Sequence, residues 1–129
     1  MKTSLIRVLR PAVACALVAL LSPPVLAAQS ACLLEGEVVL GEKTIPVKDC
    51  LENHGVSDER FHQMCEQVHD IGKATGTSTL SYLESCPSGS RGSCSTFFGA
   101  PIAGYYYLRS DKDLVRTKAA CIKQGGAWK

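Results

Sequence analysis

No C-x-x-C pair occurs in the 129 residues, so the thioredoxin-type redox motif and the common zinc-knuckle spacing are both excluded. G-x-S-x-G, S-x-x-K, H-E-x-x-H and the dinucleotide-binding glycine fingerprint are missing too, and with them the motifs that carry a recognisable catalytic mechanism. Aromatic residues are scarce, at 6% of the chain, which limits the core that about a hundred residues can build. A membrane-spanning helix needs about 20 apolar residues. The apolar run from Pro11 to Leu21 is shorter than that and is closed by Pro23-Pro24. There is no internal repeat and no linker long enough to divide the chain.

What the chain does have is cysteine and an export signal. Lys2, Arg7 and Arg10 make a cationic start, Pro11 to Leu21 an apolar centre, and Val25-Leu26-Ala27 a small-residue cleavage site. The expectation is a signal peptide over residues 1–27 and a single mature domain over residues 28–129, exported to the periplasm or secreted space of a bacterium. Cys15 leaves with the signal. Gln29 stands three residues before Cys32, where lipidation calls for leucine, so a lipoprotein is not expected. The remaining six cysteines, Cys32, Cys50, Cys65, Cys86, Cys94 and Cys121, form an even set in an oxidising compartment and read as three disulfides.

Cleavage also changes the charge. Three of fourteen basic residues leave and all twelve acidic ones stay, so eleven minus twelve gives a mature net charge of −1. The whole-chain pI of 8.2 therefore does not mark a nucleic-acid binder. Charge is uneven along the chain: Cys32 to Asp70 carries three basic and nine acidic residues, Tyr105 to Lys129 six basic and two acidic.

Periodicity gives the order of elements. Val38-Val39-Leu40, a turn at Gly41-Glu42-Lys43 and Thr44-Ile45-Pro46-Val47 read as a hairpin, with Pro46 confining the second arm to a sheet edge. Ser57 caps a helix with Asp58 and Glu59 in its first turn. Phe61, Met64, Cys65, Val68 and Ile71 form its apolar stripe, and Gly72 is placed as the left-handed end. Thr75 to Leu83 suits a strand and Pro87 to Ser93 a loop. Phe97-Phe98 and Tyr105 to Leu108 suit two strands joined through Gly99 to Gly104. A last helix runs from a cap at Ser110 or Asp111 to Lys123 or Gln124, with Leu114, Val115, Lys118, Cys121 and Ile122 on one face, Gly125-Gly126 closing it and Trp128 over its end. The expected fold is α+β: a small single domain, two helices packed on short antiparallel hairpins, stapled by three disulfides. The expected pairs are Cys65 with Cys121 between the helix stripes, Cys86 with Cys94 across a turn, and Cys32 with Cys50 across the first hairpin.

Three groups of residues are candidates for function. His62, Glu66 and His69 are spaced by four and three, so they share one flank of the first helix and suit a metal or acid–base work; the same spacing also suits an ordinary solvated flank. Lys112, Arg116 and Lys123 form a basic strip on the last helix, with Arg109 nearby, suited to an acidic partner. Tyr105-Tyr106-Tyr107 alternates faces in a strand, which offers phenols for protein recognition. Arg91, in the Gly/Ser loop, is placed to meet an anion.

The run from Cys86-Pro87 through Cys94, the tyrosines, Cys121, Gly125-Gly126 and Trp128 resembles the tails of small exported bacterial proteins of unknown function. The resemblance covers about the last third of the chain and implies no activity. The sequence thus points to an exported binding, inhibitor or immunity-like protein that meets another protein. No cofactor, nucleic acid or membrane span is expected after cleavage. An envelope enzyme or metal-binding protein using His62, Glu66 and His69, and a structural envelope component using the basic strip, are the alternatives.

Overall fold

The structure, a computed structural model, describes residues 28–129. The signal read over residues 1–27, with Cys15 inside it, lies outside the described residues. The elements are β1 (Ala31–Leu40), β2 (Lys43–Asn53), α1 (Asp58–Thr75), β3 (Gly76–Leu83), β4 (Gly92–Cys94), β5 (Ile102–Tyr106) and α2 (Asp111–Lys123). The strands form one antiparallel sheet in the order β3-β1-β2-β5-β4. Two helices on a five-stranded antiparallel sheet make the small α+β domain expected from the sequence. Among the described residues no helix is long and apolar enough to cross a membrane.

Strand alternation assigns the two faces. Cys32 stands opposite Leu51 and Tyr82, Leu34 opposite Asp49 and Leu80, and Asp49 opposite Tyr106, so these residues share one side. Both helices pack on that side. Its main core joins Cys32, Leu34 and Leu51 to Phe61 and Cys65 of α1 and to Ile102 of β5. A smaller core joins Cys94 and Tyr106 to Cys121 of α2, with Leu114 and Trp128 against it. The opposite side carries Glu35, Glu37, Thr77, Thr79 and Ser81 and is largely open to solvent.

The helix starts agree with their sequence signals. The Ser57 side chain accepts from the Arg60 N–H, and the Ser110 hydroxyl accepts from the Asp113 N–H while donating to its carboxylate at 2.6 Å. Gly72 does not end α1, which runs on to Thr75. Its bare Cα instead admits β3: a Cβ there would lie 2.8 Å from that of Ser78. The face read for α2 also needs correction. Leu114 and Cys121 turn inward, but Val115 and Ile122 are 70% and 57% exposed.

The expected partner of the tyrosine strand is displaced along the chain. Its partner β4 falls at Gly92–Cys94, overlapping the end of the segment Pro87 to Ser93 read as a loop. Phe97 and Phe98 lie in the connection, where Phe97 bridges only to Ala100. Pro46 sits where β2 has no neighbour on its second side, because β5 pairs only with Asp49 to Asn53. The edge reading therefore holds for half of β2, while the other half is interior.

All three expected disulfide pairs are overturned. The bonds are Cys32–Cys65, Cys50–Cys86 and Cys94–Cys121. Cys50 pairs in register with Leu33, so Cys32 and Cys50 point to opposite sides of the sheet and cannot meet. Cys65 and Cys121 lie on helices that each dock to the strand beneath them, so each bond is helix to strand. Cys86 crosses beneath the sheet to Cys50, whereas Cys94 faces the helices. For loops of 33, 36 and 27 residues, the chain-entropy model gives each bond about 3.5–4 kcal/mol of stabilisation.

Candidate functional site

The β1–β2 hairpin is longer than the helices that cover it. Its outer arms carry Val39, Leu40 and Ile45, all exposed, past the end of the main core. Beneath the arms on the helix side runs a trough of about 490 Å³, walled by Val38, Leu40, Ile45, Pro46 and Leu108. A second hollow of about 270 Å³ continues toward α1, with Val68 and Ile71 on its wall. Val38, Val47, Asp49 and Arg109 line both, so the two are one surface with a polar floor.

Strand parity builds that floor. Asp49 lies between Val47 and Leu51 in the same inward-facing series, so alternation forces a carboxylate into an apolar layer. Its side chain is 17% exposed. Arg109, in the link to α2, donates to Asp49 Oδ2 at 2.6 Å and to Thr117 Oγ1 at 3.1 Å. The guanidinium also lies 4.4 Å from the centre of the Tyr106 ring, which packs against Trp128 at 5.9 Å with 14° between planes. Asp49 Oδ1 is buried and has no hydrogen-bond partner among the described residues. Burial raises the Asp49 pKa above the usual carboxylate value, and the hydrogen bond and charge of Arg109 oppose that shift without cancelling it. The result is an apolar trough ending at an ion pair with one spare acceptor. It offers a seat for an apolar group.

The three histidine-flank residues stand apart from the trough, and each already has a partner. The His62 ring lies 4.5 Å from that of Tyr82, Glu66 accepts from the Tyr82 hydroxyl at 3.3 Å, and His69 Nδ1 is 2.9 Å from Ser78 Oγ. They face β3 in a row instead of converging, and among the described residues no three His, Cys, Asp or Glu side chains gather at a metal-sized point.

Arg91 is engaged by the Asp111 carboxylate and the Arg109 carbonyl. Lys112, Arg116 and Lys123 are exposed on α2, with Arg116 3.9 Å from Asp113. Tyr106 is buried in the smaller core. Tyr105 and Tyr107 share the other side of the sheet and are half-buried there. Tyr107 donates to the Pro87 carbonyl, and Tyr105 lines a separate hollow of about 330 Å³ beside His54. Burial raises the pKa of all three phenols.

Asp49 was not singled out from the sequence, and Arg109 only as a neighbour of the basic strip. The available signal was parity, a charged residue two positions from Val47 and two from Leu51 in an alternating strand. Comparison of the chain with family models, curated proteins and solved structures found no match.

Proposed function

We propose that this chain is an exported, disulfide-stapled binding protein, inhibitor-like or immunity-like in action, that seats an apolar anchor of a partner protein in the trough beneath the β1–β2 hairpin. The observation that carries the reading is the trough itself, an open concave surface with exposed apolar walls and an ion pair at its inner end. Such pockets are where interface anchors bury, and burial of one large side chain contributes roughly 1.5–3 kcal/mol. Three bonded cysteine pairs are in keeping with an oxidising compartment. The phenols of Tyr105 and Tyr107 lie on the far side of the sheet, so in this reading they belong to a different surface.

Capture of partners on the oxidised protein tests the proposal, run alongside Leu40→Asp with Ile45→Asp and, separately, Tyr105→Ala. The expected result is a stoichiometric protein held by the unaltered chain and by Tyr105→Ala, and lost by the hairpin variant although that variant remains folded. A partner lost with Tyr105→Ala and kept by the hairpin variant would move the interface to the tyrosine side and overturn the trough.

A further inference from the structure

Three stretches of strand edge longer than two residues border this sheet, and the chain shields two of them. The outer edge of β4 is paired by the C-terminal tail: Ser93 and Lys129 exchange N–H···O bonds at 2.8 and 3.0 Å, and Ser95 donates to the Ala127 carbonyl at 3.0 Å. The free half of β2 holds Pro46, which has no N–H to offer, between Lys43 and Lys48. Charge, proline and covering segments are the usual means of keeping an edge from pairing with another chain. The outer edge of β3 has none of them. From Gly76 to Leu83 it carries no charged residue and no proline, and among the described residues nothing pairs with its second side. Thr77, Thr79 and Ser81 are exposed along it.

We infer that β3 is an interface for a second copy of this chain, which pairs with it antiparallel about a two-fold axis and makes one sheet of ten strands. Antiparallel self-pairing is isologous, so one strand supplies both halves. Keeping the helices of both copies on one side requires partners of equal parity. Centring on Leu80 then sets Leu80 against Leu80, Thr79 against Ser81 and Ser78 against Tyr82, with no like charges opposed along the strand.

Charge along α1 fits the same arrangement. Glu66 lies beside Tyr82, while His69 lies beside Ser78, and Lys73, paired with Asp70 at 2.9 Å, lies nearer the Gly76 end. The antiparallel relation brings the Glu66 end of one helix alongside the end of the other that carries His69 and the Asp70–Lys73 pair, where two basic side chains outnumber one acidic.

The test is sedimentation of the oxidised protein, produced by export in a bacterial host, over roughly 1 µM to 1 mM, together with amide exchange and the variant Thr79→Lys with Ser81→Lys. These two positions oppose each other across the axis, so the variant places like charges in contact. The expected result is a concentration-dependent dimer in which β3 amides gain protection, and a variant whose β1 and β2 amides stay protected but whose dimerisation is at least about tenfold weaker. A chain that stays monomeric over the whole range overturns the inference, as does a dimer whose β3 amides gain nothing or that the variant forms equally well. Dimerisation unchanged by Leu40→Asp with Ile45→Asp separates this surface from the trough.

Discussion

Gly92→Ala probes how the C-terminal tail is held. A Cβ at Gly92 would lie 2.3 Å from a carbon of the Trp128 ring. The indole is rigid and its backbone is fixed to β4 on both sides, by the Ser93–Lys129 pair and the Ser95–Ala127 bond. The ring therefore cannot slide aside without leaving Tyr106. The loss comprises the aromatic pair, about 1 kcal/mol, and roughly half of an aromatic's ~200 Å² of buried area, about 2.5 kcal/mol at ~25 cal/mol per Å². Against it stands the gain from replacing a strand glycine, about 0.5–1 kcal/mol. The net expectation is a loss of about 2–3 kcal/mol in urea unfolding. Trp128 is the chain's single tryptophan, so its fluorescence reports the site directly, and the emission should shift to the red in the folded variant. Stability unchanged within about 0.5 kcal/mol, with unshifted emission, would refute the argument that Gly92 exists to admit the ring.

Replacing Cys94 and Cys121 together by alanine removes the only buried side chain of α2 and its tether. The expected loss is about 3.5 kcal/mol in denaturant unfolding. Exchange should show α2 amides opening before those of β1 and β2, and uniform protection would contradict the weak docking of α2. Asp49 has a raised native pKa, so the folded chain takes up a proton at higher pH than the unfolded chain does. Stability therefore falls as pH rises from the ordinary 3.8 through the raised value, and the carboxylate is least costly below that window. Asp49→Asn should flatten this part of the unfolding midpoint measured between about pH 3 and 7; an unchanged profile would show that Asp49 titrates as it does in the unfolded chain.

Local signals in the sequence located most of the elements. Ser57 and Ser110 mark both helix starts, and the apolar stripe of α1 is visible in Phe61 and Cys65. Contacts between elements were less legible, and the hairpin turn explains why. With the turn read as Gly41-Glu42-Lys43, Cys32 and Cys50 fall on one side of the sheet and a bond between them is reasonable. In the structure Leu40 pairs with Lys43, a shift of one residue that sends the two cysteines to opposite sides. The strand at Gly92–Cys94 was hidden because its glycine and serine have turn chemistry; Trp128, thirty-odd positions away in sequence, is what makes the glycine useful. Asp49 was similarly masked, since a lone acid beside a cysteine gives no sign of burial until the parity of β2 is known.

The order of the bonds has a consequence for how the molecule is made. Numbered from Cys32, the six cysteines of the described residues pair first with third, second with fourth and fifth with sixth. In a chain oxidised from its N-terminal side Cys32 and Cys50 come before the other four, and a bond between them locks β1 and β2 into a register that the finished sheet does not contain. Release from that trap requires thiol attack on a formed bond. Wherever Cys32 and Cys50 join first, the native bonds form only through such exchange, whereas the Cys94–Cys121 loop closes between consecutive cysteines.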